Sequence, residues 1–176
     1  MERVIDVKVT RRAQAPIGPR IWSFSDNRAV VVRLEPRVLL TVADEMATEP
    51  GTLDASALAI LAVHAALEAF VNETGAQEVA SFNLRARFLP KWHDLCQRVL
   101  SRQLDSAPDL ERLHALRDAI VGFQGEPERL DRRAATPSPT IPEQLNAETA
   151  RWAIDTARRV IAEFHSLAGR PAPDWV

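Results

Sequence analysis

Apolar residues are spaced differently in the two parts of the chain, and the change falls near residue 53. Before it, VIDVKV alternates apolar and polar residues as a half-buried strand does. RIWSF and AVVVRL are rich in β-branched and aromatic residues, with SDNR between them as a hairpin turn, and LLTVAD after Pro36 supplies another strand. These segments predict a small antiparallel sheet over residues 1–52. A sheet this small seldom stands alone and needs a helical layer or a second subunit to pack on.

From Asp54 the period is helical. Asp54 is placed to cap a helix running to about Thr74 and stopping at Gly75. A second helical region covers about Glu78 to Leu104, with Pro90 suiting the first turn of KWHDLCQRVL. SAPD has capping-box spacing and opens a third helix that ends near Gln124, before Gly125 and Pro127. The stretch 125–140 is polar and proline-rich and reads as linker. Thr140 with Glu143 repeats the capping pattern, and the last helix covers about Pro142 to Ala168, before Gly169 and Pro171. The expectation is a mainly α protein: an N-terminal β appendage over 1–52 and a four-helix bundle over 53–176.

Composition narrows the class. The 176 residues suffice for one domain with a real core, and 46% hydrophobic with 26% charged residues suits a soluble globular chain. A net charge of −2 supplies no whole-protein attraction to nucleic acid, though a local basic patch remains open. Cys96, the single cysteine, excludes an internal disulfide framework and a Cys-rich zinc site, and suits a reducing compartment. The N-terminus lacks a signal-peptide run, and no segment reads as the roughly 20 apolar residues of a membrane span. A cytoplasmic location without membrane contact is expected. With no tyrosine and 6% aromatics, an aromatic platform for single-stranded nucleic acid is disfavoured.

Two polar seams interrupt the apolar helices. LAILAVHAALEAFVNE is apolar almost all round, as a central helix is, except for His64, Glu68 and Asn72 at i, i+4 and i+8. That line is either a solvated edge or a face turned to a partner or site. On the third helix Leu110, Leu113, Leu116, Ile120 and Phe123 form a stripe into which Arg117 projects. A guanidinium there either snorkels outward along its aliphatic stem or needs a carboxylate, and Glu68 is the first candidate. His114 lies three residues before Arg117, and is either a surface histidine, the first reading, or close enough for a shared phosphate site. Lys91 and Trp92 form a further polar-aromatic pair at a helix start. No two of the 4 histidines have the i, i+4 spacing of a helical metal pair, and HExxH, a glycine-rich phosphate loop and G-x-S-x-G are all absent, so no metal or cofactor is expected.

AALEAFVNE on a central helix, KW at a helix start, LRDAIVGF and a last helix running into small residues and PDW together resemble the HEPN-like domains of prokaryotes. The similarity covers Leu53 to Trp175. It implies a four-helix bundle, usually dimeric, often a metal-independent endoribonuclease of toxin–antitoxin or anti-phage systems. The family's active arginine maps to Arg117 and its polar neighbour to Asp118. The histidine that follows in active members maps to Gly122, with Phe123 and Gln124 next, and none of these three serves as a general acid or base. The resemblance therefore implies a non-catalytic dimer that binds RNA, a nucleotide or a cognate protein partner. The candidate polar cluster is His64, Glu68, Asn72, Lys91, His114, Arg117 and Asp118. The alternative is an endoribonuclease with a displaced site, using Arg117 with His114 or His64. A third possibility is a structural or regulatory module whose polar seam only orders the helices.

Overall fold

Pro36 decides the first element. The computed structural model describes residues 20–22, 31–33, 35–48, 53–122 and 141–176. Pro36 is the first residue of a helix, α1 (Pro36–Thr48), where its fixed φ suits the first turn and its missing N–H costs nothing. LLTVAD, expected as a strand, lies inside α1. Leu39, Leu40 and Ala43 fall on one buried side at helical spacing, so tertiary burial overrides the β-branched composition. Strands β1 (Arg20–Trp22) and β2 (Val31–Arg33) pair antiparallel, with Ile21 opposite Val32. VIDVKV and the SDNR turn lie outside the described residues.

α2 (Leu53–Glu78) is the axis of the fold, and α1, α3 (Phe88–Val99), α4 (Ala107–Gly122) and α6 (Ala147–Leu167) each pack on it. Its Ala59, Ile60, Val63, Ala66, Leu67, Phe70 and Val71 are buried. The chain is mainly helical, and α1 adds a long helix to the four expected. Asp54 sits within the first turn of α2 rather than before it. Gly75 does not end the helix; it is buried inside it, and a side chain there would clash with the Phe82 ring. The turn after α2 folds back over that position, with Ser81 in the left-handed region at φ 61. The helical region expected over 78–104 is thereby shortened to α3, with Pro90 in its first turn.

α4 opens where SAPD places it, but not by a capping box. Ser106 Oγ donates to Glu163 Oε2 on α6 at 2.5 Å, and Glu163 also accepts the backbone N–H groups of Asp105 and Ser106. Asp109 accepts instead from Arg159 at 2.8 Å. The last helical stretch is broken into α5 (Ile141–Gln144) and α6, because Asn146 caps α6 by accepting from the Thr149 N–H at 2.9 Å. Thr140, expected as a cap, lies outside the described residues. Gly169 ends α6 at φ 68, and Arg170 then donates twice to Glu78, at 2.7 and 2.9 Å, joining the far ends of α6 and α2. Arg158 donates to Asp44 at 2.6 Å, tying α6 to α1.

By length and composition α2 is apolar enough to cross a membrane, which corrects the expectation that no segment is. Half of that apolar window is buried inside the fold, as in a core helix.

Candidate functional site

His64 and Glu68 turn one face of α2 toward the start of α3 and the middle of α4. His64 is 4% exposed. Its Nε2 lies 3.1 Å from His114 Nδ1, a contact between residues that no helical repeat relates. Phe88, the first residue of α3, covers both rings, with centroids 4.1 Å from His64 and 5.2 Å from His114. Sequence reasoning missed Phe88, because a phenylalanine at a helix start reads only as core.

His114 Nε2 stands 3.5 Å from Asp118 Oδ2, one turn farther along α4. Arg117 Nη1 donates to the other carboxylate oxygen of Asp118 at 2.8 Å. That hydrogen bond, ahead of the nearby charges, holds the Asp118 carboxyl below the usual range. An ionised carboxylate only accepts, so His114 Nε2 carries its hydrogen. In a neutral His114 the facing nitrogen, Nδ1, is then the acceptor, and His64 Nε2 is the donor. The chain of contacts runs His64, His114, Asp118, Arg117.

The expected Arg117–Glu68 ion pair is not formed. Glu68 pairs with Lys91, Nζ to Oε1 at 2.9 Å, and Lys91 is only 3% exposed. Lys91 reaches Glu68 from the first turn of α3, whereas Arg117 has a carboxylate on the next residue of its own helix. Burial pushes the Glu68 carboxyl upward, but the Lys91 hydrogen bond and charge, with His64 and Arg117 beyond, hold it below the ordinary value. His64 is pushed down to about 4, first by burial, then by the charges of Arg117 and His114, against weaker opposition from Glu68 and Asp118. It is neutral at physiological pH.

The structure therefore brings six of the seven expected residues together: His64, His114, Asp118 and Arg117 as a chain of contacts, and Glu68 with Lys91 as an ion pair that acts on it through charge alone. Asn72 is the exception. Its Oδ1 is buried without a hydrogen-bond partner among the described residues, one turn beyond Glu68. Gly122 is the last residue of α4, and among the described residues nothing lies within 4 Å of where its Cβ would stand. Among the described residues no group of three or more His, Cys, Asp or Glu could hold a metal ion. Cys96 is buried, and burial raises its thiol to about 11, so it is a packing residue rather than a nucleophile.

The chemistry of this arrangement is limited by its own hydrogen bonds. His114 Nδ1 meets His64, its Nε2 faces the Asp118 carboxylate at 3.5 Å, and His64 is buried behind it. Arg117 is part-exposed, and among the described residues it commits one N–H to Asp118. The network can present a guanidinium to an anion more readily than it can lend a base to a substrate. No protein-family model matches this chain, and no similar curated protein or solved structure is found.

Proposed function

We propose that this chain is a non-catalytic HEPN-like protein, a homodimer whose Arg117 face binds the phosphates of RNA or a nucleotide, within a toxin–antitoxin or anti-phage system. One observation carries the reading: Arg117 stands part-exposed at the mouth of the polar seam, while both histidines that could serve it as acid or base are hydrogen-bonded to one another. General acid–base catalysis needs a titratable nitrogen free to reach the substrate. A guanidinium needs only access, and its planar fork suits phosphate.

An uncharged face of α2 supports the dimer. Residues 55–67 carry no formal charge apart from titratable His64, yet Leu58 is 53% exposed and Ala65, two turns farther along the same face, is exposed. On α4, Val121 is 60% exposed. An uncharged strip beside the seam is suited to two-fold pairing, the commonest way two identical subunits bury such a surface. Light scattering should report twice 19.6 kDa at micromolar concentration; a monomer would contradict this part of the reading. Mixed RNAs incubated with the protein should be bound and left intact, and Arg117→Ala should weaken binding.

A second reading, an endoribonuclease with a displaced site, is favoured by the His64–His114–Asp118 chain, since a histidine oriented by a carboxylate is a common acid–base device. RNA cleavage abolished by both Arg117→Ala and His114→Ala would establish it.

A further inference from the structure

One hydrogen separates the two histidines of the seam. His64 Nε2 and His114 Nδ1 face each other at 3.1 Å, a distance that holds one N–H and one bare nitrogen. A second hydrogen on that axis would set N–H against N–H. The pair can nevertheless accept one proton without losing its contact, at its remaining bare nitrogen, and the shared hydrogen can then cross to the more exposed ring. His114 Nδ1 takes the hydrogen that lies between the rings, and His64 Nδ1 takes a proton from solvent. His64 then accepts at Nε2, and the bond runs in the opposite direction. One proton has been taken up, one positive charge added, and no covalent bond other than N–H has changed.

Geometry places the added charge on His114. It is 23% exposed where His64 is 4% exposed, and its Nε2 already faces the Asp118 carboxylate. The surrounding groups come from three helices: Glu68 on α2, Phe88 and Lys91 on α3, Arg117 and Asp118 on α4. Arg117 opposes charge on the pair, whereas Glu68 and Asp118 favour it. With both rings neutral, Arg117 and Lys91 are offset by Asp118 and Glu68. A protonated pair leaves one positive charge in excess, beside the guanidinium.

We propose that His64, His114 and Asp118 form a one-proton switch that adds a positive charge beside Arg117, so that a phosphate-bearing ligand on this face binds with uptake of one proton. The proposal rests on the reading of Arg117 as a phosphate contact. Linkage limits its effect to tenfold in affinity per pH unit for one proton, so a tightening of about tenfold is expected between pH 8 and pH 6.

The test uses the whole chain in two measurements. The first is fluorescence anisotropy with a labelled oligouridylate of about ten nucleotides at fixed ionic strength, the range of a small single-strand site. Wild-type protein should bind about tenfold tighter at pH 6 than at pH 8. His114→Gln should reduce that response to less than about twofold, while His93→Gln, on the far side of α3 from the seam, should keep it. The second is nitrogen-15 NMR of the imidazoles, in which His64 should change from the Nε2–H to the Nδ1–H tautomer over the same range. Binding that ignores pH, or a pH response that survives His114→Gln, overturns the switch and leaves the phosphate reading standing. Absence of binding at either pH overturns the phosphate reading, and the coupling with it. Should His114→Gln fail to fold, the wild-type NMR decides: an unchanged His64 tautomer overturns the switch.

Discussion

At its N-terminus α4 is held by Glu163, whose two oxygens receive two backbone N–H groups and the Ser106 hydroxyl. Half-way along it is held by His114, which meets His64 through a single hydrogen and a carboxylate at 3.5 Å. Both ties link α4 to a helix far away in sequence. The first satisfies end groups that every helix leaves open, and one fixed charge suffices for it. The second joins two imidazoles through one shared hydrogen, beside a part-exposed guanidinium. A fully satisfied polar tie orders a fold, whereas an adjustable one beside the surface is where a ligand can act.

The largest expected effect tests the structural tie. Glu163→Ala leaves the Ser106 hydroxyl and two N–H groups without their acceptor, and should cost about 4 kcal/mol in denaturant unfolding. A loss below about 1 kcal/mol would mean that water replaces the carboxylate and that the two ties do not differ.

Acid sharpens the contrast. His64 is pushed to about 4 in the fold from 6.5, so between these values the unfolded chain binds a proton that the native state refuses. Stability is therefore unaffected above about pH 6.5, falls as the pH drops toward 4, and then levels, with a total loss of roughly 3 kcal/mol. Unfolding measured at pH 7 and pH 4.5 should show this slope in the wild type and lose most of it in His64→Phe.

The two glycines have opposite meanings. Gly75→Ala drives a methyl into the Phe82 ring and should cost about 1–3 kcal/mol, whereas Gly122→Ala meets no described residue and should gain at most about 1 kcal/mol. Thermal unfolding of the two variants should move in opposite directions. The smallest effect belongs to Arg117→Ala. Its pairing is with a neighbour on the same helix and both side chains are part-exposed, so the loss should stay under about 1 kcal/mol. A larger loss would make Arg117 a structural residue and weaken the distinction between the ties.

The site was more legible than its wiring. A histidine, a glutamate and an asparagine in line on an apolar helix mark a polar seam, and Arg117 in a leucine stripe marks its neighbour. Which helix answers each charge does not follow from helical spacing. The sequence places Lys91 only in a polar-aromatic pair at a helix start, yet it is the partner of Glu68, leaving Arg117 to Asp118. The fold departs from the sequence expectation where local propensity and tertiary burial disagree. LLTVAD has a strand's composition, yet Pro36 starts a helix whose leucines are needed against α2. Gly75 looked like a helix stop because glycine commonly is one, and the ring that requires it lies in the turn beyond.

The double hydrogen bond between Arg170 and Glu78 has a consequence for motion. It joins the last residue of α2 to the segment just past α6, two places where a helix would otherwise fray on its own. Each end is thereby held by the other, and opening one exposes both. Trp175 and Val176, which pack on the core just beyond Arg170, share that fate. Amide exchange at the end of α2 and solvent access to the Trp175 indole should report one opening event, with one rate.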